Sequence, residues 1–535
     1  MINRLVPVLV LLLLLTTYCT QPDTPAPPRP ESPPDTLSAD LLITGARVID
    51  GSGAPAAQAD VWIQDGRIAG LAEPGRQPVR ADRTIDANGR VLSPGFIDMH
   101  AHGNPLRTPR FDNFLHMGVT TLTLGQDGSG PGVTNTAEWM REVEQEGIGP
   151  NLAHFVGHGS LRIAAGIPDG APATPEERTR MQEILTAALE DGSFGMSTGL
   201  EYTPGRFADL EELVALAEIL ADHDGLLTSH MRSEDADGME EALGELLLLG
   251  SRSGARVHVS HIKLVLGNDP AQAERILEHL DESRQSGIRV TADLYPYTAS
   301  FTGISLLFPD WALSPNNYEQ VRSTRRDELA TYLRERVLSR NGPEATLIGT
   351  APWAGQTLAE IAEEAGKPFE EVLMDDMGPG SASAAYFVMN ENVMRTFLQD
   401  PHVMISSDGS PTMRHPRGYG SFAKVIETLT LDEGLLSLEE AIHKMSGLPA
   451  SLLGLDDPGR TDTPRGLIRK GYAADLLLFT PENIHETTTF ETPHQLAEGI
   501  DWVWVNGTAV IEEGEPVSGR PGVVLRFKRT ENTSQ

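Results

Sequence analysis

The feature that most constrains the fold is an alternation of short apolar segments with amphipathic segments through the middle of the chain. Such alternation is typical of parallel strands joined by crossover helices. Amphipathic helices are predicted over 176–190, 209–222 and 271–286. Eight strands are predicted, at residues 95–100, 119–125, 152–157, 194–200, 225–230, 256–261, 289–294 and 402–408. The pattern therefore predicts an α/β fold built as a (β/α)8, TIM-like barrel.

Short alternating strands flank this region on both sides, with hairpin signals at Asp65-Gly66 and Asn506-Gly507. We expect residues 40–93 and 458–527 to pair into one small β-sandwich domain beside a barrel at 94–457. Residues 303–400, approximately, interrupt the alternation. We interpret them as an insertion over the barrel mouth.

The first residues have the layout of an export signal, with Arg4 followed by an apolar run from Leu5 to Leu15. Eleven residues are too short to span ~30 Å of hydrocarbon. We therefore expect an export signal at 1–20, a Pro-rich linker at 21–39 and a tail at 528–535. Cys19 is a candidate lipid anchor, although the preceding Tyr18 is bulkier than usual there. The expected location is periplasmic or secreted, with membrane contact only through Cys19, and the sequence predicts no oligomeric state.

The net charge and the number of cysteines exclude some classes of partner and of metal site. Lys and Arg total 42 against 76 Asp and Glu, so the formal charge is −34. Such a charge repels phosphate backbones, and no nucleic-acid partner is expected. The single cysteine rules out internal disulfides and zinc sites built from several cysteines. A metal in the barrel would then take mainly nitrogen or oxygen ligands.

Histidines stand where several predicted strands end. His100 and His102 close the first strand, and alternation turns both imidazoles to one face. His230, His261 and Asp408 end the fifth, sixth and eighth strands. Strand ends converge at the carboxyl-terminal face of a barrel, so these groups could hold two divalent metals that share a bridging group.

The bridging acid has two candidates. Asp127 follows the second predicted strand and Glu201 follows the fourth. Either carboxylate could bridge two metals, and the other would then orient a ligand or the substrate. The sequence leaves the choice open.

These residues resemble the amidohydrolase superfamily, and within it the N-acyl-D-amino-acid deacylase, or D-aminoacylase, branch. The likeness covers roughly residues 40–525 and includes the motifs GFIDMHAH, GLEYTPG, SHMRSE, SHIK, DLYPYTA and SSDGSPTMRHPRGYGSFAKVI. The resemblance implies zinc, as one or two ions or another divalent metal. It implies that His100, His102, His230 and His261 are ligands, and that Asp408 contacts a metal and is the catalytic acid and base.

The chain departs from this branch at Asp127. Described D-aminoacylases carry a zinc-binding cysteine there, whereas this chain has Gly125-Gln126-Asp127-Gly128. An oxygen ligand in a thiolate's place favours a harder metal. Glu201 stands where many superfamily members have a carbamylated lysine.

The resemblance implies hydrolysis of the amide of N-acyl-D-amino acids, small-molecule substrates. Bound Zn²⁺ lowers the pKa of its water to about 7 and polarises the carbonyl, and the hydroxide attacks. His158 is a candidate for binding the oxyanion. For the substrate carboxylate the resemblance points to Lys263, Tyr295 and Ser300. Two guanidinium groups, on Arg232 and Arg417, are further candidates.

Other functions stay open. Within metal-dependent enzymes, the alternatives are a dipeptidase acting on a bond to a D-residue and a cyclic-amide hydrolase of the dihydroorotase or hydantoinase kind. Gly195-Met196-Ser197-Thr198-Gly199 matches a serine-hydrolase nucleophile elbow, with Asp408 and either His415 or His443 completing a triad. A non-catalytic envelope binding protein is the remaining alternative.

Overall fold

The structure, a computed structural model, describes residues 36–529. The predicted export signal, Cys19 and nearly all of the Pro-rich linker lie outside these residues, as do the last six residues of the tail. Within 36–529 no helix combines the length and apolar character needed to cross a bilayer.

Twenty strands are described. They are β1 (Leu37–Val48), β2 (Ala57–Gln64), β3 (Arg67–Ala72), β4 (Val79–Asp86), β5 (Val91–Pro94), β6 (Phe96–Asp98), β7 (Val119–Leu124), β8 (Asn151–Gly157), β9 (Gly195–Gly199), β10 (Leu226–His230), β11 (Arg256–Val259), β12 (Val290–Leu294), β13 (Ser300–Gly303), β14 (Thr346–Ile348), β15 (Ser383–Tyr386), β16 (Val403–Ile405), β17 (Leu476–Phe479), β18 (Ile500–Val505), β19 (Thr508–Glu512) and β20 (Glu515–Pro516).

The described α-helices are α1 (Asp112–His116), α2 (Thr136–Glu146), α3 (His158–Ala165), α4 (Pro175–Glu190), α5 (Leu210–Asp222), α6 (Met239–Ser253), α7 (Pro270–Gln285), α8 (Tyr318–Thr324), α9 (Arg326–Ser339), α10 (Leu358–Ala365), α11 (Phe369–Glu371), α12 (Glu391–Gln399), α13 (Arg417–Lys424), α14 (Leu438–Met445) and α15 (Gly447–Leu453). The loops contain 3₁₀ segments at Gly205–Phe207, Ile304–Leu307, Asp310–Ala312, Pro343–Ala345 and Pro481–Asn483. Two π-helical segments, Val372–Met377 and Val425–Asp432, directly continue α11 and α13.

The predicted barrel is confirmed. Strands β6 to β12 and β16 form one sheet of eight strands in sequence order, and all their pairings are parallel. The barrel closes beyond the ends of its first and last strands, where Asp408 N–H donates to the His100 carbonyl at 2.8 Å and His102 N–H donates to the Gly409 carbonyl at 2.7 Å. Closure therefore brings His100, His102 and Asp408 together.

Both faces of the barrel strands are buried, as expected for a parallel sheet covered by helices. Ile97, Phe155 and Met404 pack in one cluster with residues from the end of the chain, such as Phe527. Other strand residues, such as Phe96, pack in the main cluster with the surrounding helices. Several helices begin with a side-chain cap. Thr174, for example, forms a capping box with Glu177 at the start of α4.

The strands from the two chain ends pair with each other, as predicted. β17 lies antiparallel to β5 and pairs Leu478 with Leu92, which joins the strands of 37–94 to those of 476–516 in one sheet of nine strands. The buried residues Ile43, Leu478 and Trp504 belong to its separate core. The exact division of the chain into domains stays a prediction.

The predicted insertion forms a small sheet together with β13, which lies just before it. β13, β15 and β14 form three antiparallel strands, and they pack with α9 and α10 around a core that includes Leu333, Ile348 and Tyr386. Phe301, Thr302 and Arg340 from this segment line the cavity at the barrel mouth. The insertion therefore forms one wall of the candidate site.

Candidate metal centre

Side chains from the ends of six strands, β6, β7, β9, β10, β11 and β16, meet at the carboxyl-terminal face of the barrel. Their ligand atoms fall into three overlapping groups, each with its atoms within 4.8 Å of one another. The groups are His100, His102, Asp127 and Asp408; Asp127, His230 and His261; and Glu201, His230 and Glu234. The structure thus brings together all seven residues predicted as metal ligands, and adds Glu234.

The first group contacts both oxygens of the Asp127 carboxylate. The Nε2 atom of His100 lies 3.3 Å from Asp127 Oδ1, and that of His102 lies 3.4 Å from Oδ2. Asp408 Oδ1 lies 3.2 Å from His102 Nε2 and 3.8 Å from His100 Nε2. Two imidazoles and two carboxylates form a donor set suited to Zn²⁺ or a harder divalent metal.

The second group uses the same carboxylate. Asp127 Oδ1 lies 3.3 Å from His261 Nε2 and 3.9 Å from His230 Nδ1, and these two ring nitrogens are 3.1 Å apart. Asp127 therefore belongs to both groups of histidines, as a bridging ligand would.

Glu201 occupies a more lateral position. Its Oε2 atom lies 3.0 Å from His230 Nε2, on the side of that ring opposite His261. Glu201 shares a group with Glu234 but with neither His100 nor His102. The sequence did not decide which of the two carboxylates bridges. In the structure, Asp127 is the one that lies close to histidines of both groups.

The residues present fit a metal. Both ring nitrogens of the fully buried His100 lack a hydrogen-bond partner, although Nε2 faces the Asp127 carboxylate. Burial lowers the pKa of His100, which favours the metal-ligating form of its ring over the imidazolium. Burial would raise the pKa of Asp127, but His100 and His261 outweigh this effect and hold it well below its usual range. A cation between these groups satisfies the lone pairs, which would otherwise repel each other.

Three of the clustered residues have left-handed backbone. The φ angles are 53° at Asp127, 37° at His261 and 50° at Asp408. Residues other than glycine adopt this region rarely, and such strained positions concentrate at functional sites. Asp and Asn tolerate this conformation better than most residues.

Two buried aspartates hold the ligand-bearing loops. Asp98 Oδ1 accepts the backbone N–H groups of His100 and Ser407, and Asp293 Oδ1 accepts that of His261 at 3.0 Å. Burial raises the pKa of Asp98 to about 7. Sequence analysis did not identify these two residues, although Asp98 stands two positions before His100.

Four of the five predicted substrate-binding residues line a cavity of about 290 Å³ beside the cluster, which we call the central cavity. They are Lys263, Tyr295, Ser300 and Arg417. Lys263 Nζ donates to Glu234 Oε1 at 2.5 Å and to His261 Nδ1 at 2.8 Å.

A second cation flanks this cavity. Arg417 Nη1 lies 2.8 Å from Asp408 Oδ2, and its guanidinium lies 4.6 Å from the centre of the Tyr295 ring. Burial would raise the pKa of Asp408, but Arg417 and the histidines outweigh burial and hold it below its usual range. Asp408 is therefore ionised.

Two predicted site residues lie elsewhere. Fully buried His158 directs Nε2 to Glu212 Oε1 at 2.7 Å, and the same carboxylate binds Arg162, so His158 is a structural partner and not an oxyanion ligand. Arg232 makes two 2.9 Å hydrogen bonds with Glu245 and lines a different cavity, under the insertion. Neither residue lines the central cavity.

The serine-hydrolase alternative is wrong for a local reason. Ser197 lies inside β9 with no exposed surface, donates to the Gly125 carbonyl at 2.5 Å and accepts from Gly128 N–H at 3.0 Å. A nucleophile elbow requires an exposed serine at a sharp turn after a strand.

The structure adds residues that sequence analysis missed. Glu234 pairs with Lys263, and Tyr202 and Arg340 line the central cavity. Burial would raise the pKa of Glu234, but Lys263 and the two neighbouring histidines hold it well below its usual range. Glu234 follows His230 by four residues in the SHMRSE motif, which was the available signal.

Comparisons with known proteins give a consistent picture. The amidohydrolase family model matches residues 322–511. The N-acyl-D-aspartate deacylase and N-acyl-D-glutamate deacylase of Alcaligenes xylosoxydans xylosoxydans are each 34% identical to this chain, over 91% of it and 95% and 96% of their own lengths. D-aminoacylase from the same organism is 31% identical, over 92% of this chain and 98% of its own.

Solved structures agree. N-acyl-D-glutamate deacylase from Bordetella bronchiseptica, complexed with zinc and a phosphonate mimic of the tetrahedral intermediate, is 33% identical with a TM-score of 0.77. A D-aminoacylase crystal structure is 31% identical with a TM-score of 0.78. Both matches cover 91% of this chain and all of the other. L-hydantoinase from Arthrobacter aurescens, at 18% identity and a TM-score of 0.53, shares the fold alone.

Proposed function

Since the chain belongs to the amidohydrolase family and, within it, to the D-aminoacylase branch, we propose that it is a metal-dependent deacylase of N-acyl-D-amino acids. The reaction adds water across the amide bond and releases a carboxylic acid and a free D-amino acid. The observation that carries the proposal is the shared position of Asp127 between two groups of histidines, directly beside a cavity that contains buried cations.

The metal would be zinc or another divalent ion, in one or two copies. His100, His102, Asp127 and Asp408 would hold one ion, and Asp127, His230 and His261 the other. When bound, such a metal makes water a stronger acid and polarises the amide carbonyl.

The residues of the chain supply the proton transfers. Asp408 is ionised beside Arg417, and its Oδ1 faces the histidine cluster. We assign it the role of accepting the proton of the attacking water and returning it to the amide nitrogen, which leaves as an amine. Arg417 keeps the carboxylate oriented through Oδ2.

The free carboxylate of the substrate binds to Lys263 in this proposal. Lys263 is 4% exposed, and its ammonium group lies within the central cavity next to the Tyr295 ring. Tyr295, Ser300 and Arg417 line the same cavity and provide further donors. A D-amino acid would then present its amide to the metal with its carboxylate directed toward these groups.

Lys263→Met is expected to raise KM about 10- to 100-fold, because a hydrogen bond to a charged group contributes about 1.5–3 kcal/mol. The measurement is steady-state kinetics with an N-acetyl-D-amino acid. Lys367→Met, which removes the ion pair with Asp376 in the insertion, serves as the control and should leave KM unchanged. An unchanged KM in Lys263→Met would contradict the role of this lysine.

The proposed activity is tested with paired N-acetyl-D- and N-acetyl-L-amino acids and with dipeptides that end in a D-residue. The purified full-length protein, loaded with zinc, is expected to release amino acid from the D-substrates alone. His230→Ala is the inactive control, because His230 belongs to two of the ligand groups. Equal turnover of both enantiomers would exclude a D-specific deacylase, and turnover of dipeptides alone would favour the dipeptidase alternative.

We also propose that the protein is exported and that Cys19 anchors it to the envelope. The apolar run from Leu5 to Leu15 and the Pro-rich segment that follows support this proposal.

A further inference from the structure

Two of the cavities that border the candidate metal centre lie beside His102 and Asp127. The central cavity with Lys263 lies on one side. On the other lies a cavity of about 560 Å³, which we call the α3 cavity because Ser160 and Ile163 of α3 line it. His102 and Asp127 line both cavities. A substrate bound at the metal therefore has access to both spaces.

The two cavities have a common partition. The hydroxyl of Thr302 donates to Tyr202 Oη at 3.2 Å, and both residues line both cavities. None of Lys263, Tyr295 and Arg417 lines the α3 cavity. In the substrate amide, the nitrogen of the amino acid and the alkyl part of the acyl group are bonded to the carbonyl carbon in different directions. A substrate whose carboxylate lies at Lys263 consequently directs its acyl chain away from the central cavity, and the α3 cavity begins at the metal-binding residues on that other side.

The wall of the α3 cavity contains an unusually exposed apolar residue. Ile163 is 69% exposed, more than any other large hydrophobic residue among 36–529, and it projects from the face of α3 that lines the cavity. The rings of Pro131 and Pro204 add apolar surface. Single exposed apolar residues are common on protein surfaces, but one on the wall of a cavity that reaches the reaction site favours an apolar ligand.

We propose that the α3 cavity is the acyl subsite and that it binds an aliphatic acyl group much larger than acetyl. The inference rests on the proposed deacylase function. Cavities of about 300–1,000 Å³ accommodate groups of many heavy atoms, whereas an acetyl methyl would occupy only the entrance. The preferred substrates are N-acyl-D-amino acids with medium-length alkyl chains, such as octanoyl.

The test compares N-acetyl and N-octanoyl derivatives of the same D-amino acid with the full-length, zinc-loaded enzyme. The expected ratio of kcat/KM, octanoyl to acetyl, is on the order of ten, because each buried methylene is favourable and the cavity is partly open to water. Ile163→Trp fills the cavity and should lower this ratio at least about fivefold. Leu338→Trp, at another exposed position on α9 that lines neither cavity, is the matched control and should leave the ratio unchanged.

A second variant locates the acyl chain. Gly380 lines the cavity under the insertion, which has a volume of about 630 Å³, and a Cβ added there meets no atom within 4 Å. If Gly380→Trp lowers the ratio and Ile163→Trp does not, the acyl chain lies under the insertion and the inference is wrong. Equal turnover of acetyl and octanoyl substrates would also overturn it while leaving the deacylase function intact. Turnover of neither would overturn both.

Discussion

Asp408→Asn is expected to lower kcat by about 10³-fold, because general acid and base catalysis contributes about 10²- to 10⁴-fold. The substitution removes the proton acceptor while retaining the shape of the side chain. Asparagine tolerates the left-handed backbone at this position, where φ is 50°, so the fold should be preserved. Steady-state kinetics with an N-acetyl-D-amino acid measures the loss, and KM should change far less than kcat.

Asp65→Asn is the matched control for this substitution. Asp65 also has left-handed backbone, with φ of 51°, but it lies in the hairpin between β2 and β3, away from the barrel mouth. It should keep full activity. A fall of less than about tenfold in the Asp408→Asn variant would show that another group transfers the proton.

Asp127→Asn and Glu201→Gln together should decide which carboxylate the two ions share. Asp127 lies within 3.4 Å of three histidines, whereas Glu201 approaches His230 alone. Losing a partner of a metal ligand typically costs about 10- to 100-fold, and losing a ligand common to both groups should cost more, about 10³-fold. Glu201→Gln, which changes only a partner of His230, should lower activity by the smaller factor of about 10- to 100-fold.

Metal content gives a second measurement, independent of turnover. After dialysis against a weak chelator, Asp127→Asn should retain less zinc per chain than Glu201→Gln. Both substitutions replace a carboxylate by an amide of nearly the same shape and remove one negative charge. A difference between the two variants therefore reports the position of the carboxylate in the cluster. If Glu201→Gln loses as much metal and activity as Asp127→Asn, the shared ligand is Glu201, contrary to the geometry of the cluster.

Several features of this site were accessible from the sequence. The eight strands were predicted because apolar segments alternate with amphipathic helices, and the positions of His100, His102, His230 and His261 at strand ends indicated their convergence. The similar strand patterns at both ends of the chain predicted that these segments pair with each other, and the structure makes the connection between β5 and β17. These predictions succeeded because they rest on the hydrophobic periodicity of short segments, which can be read from the sequence.

The sequence did not predict in the same way which partner each polar side chain binds. Arg232 had the chemistry of a carboxylate ligand, but Glu245, thirteen residues later on α6, already holds it. His158 had the chemistry of an oxyanion donor, but Glu212 on α5 turns its ring away from the cavity. Each side chain was compatible with two roles, and its distant partner decided between them.

The sequence alone thus determined the barrel, the joined sheet and the set of metal-binding residue types, because strand periodicity and the positions of strand ends are written along the chain. Only the tertiary structure decided that Asp127 stands between the two histidine groups, that Glu234 neutralises Lys263, and that a second cavity opens beside α3. These features depend on contacts between residues far apart in the chain and on left-handed backbone at a few loop positions. A separation of a few ångströms between such groups has no signature in the residue order, because it is set by how the closed barrel places its loops.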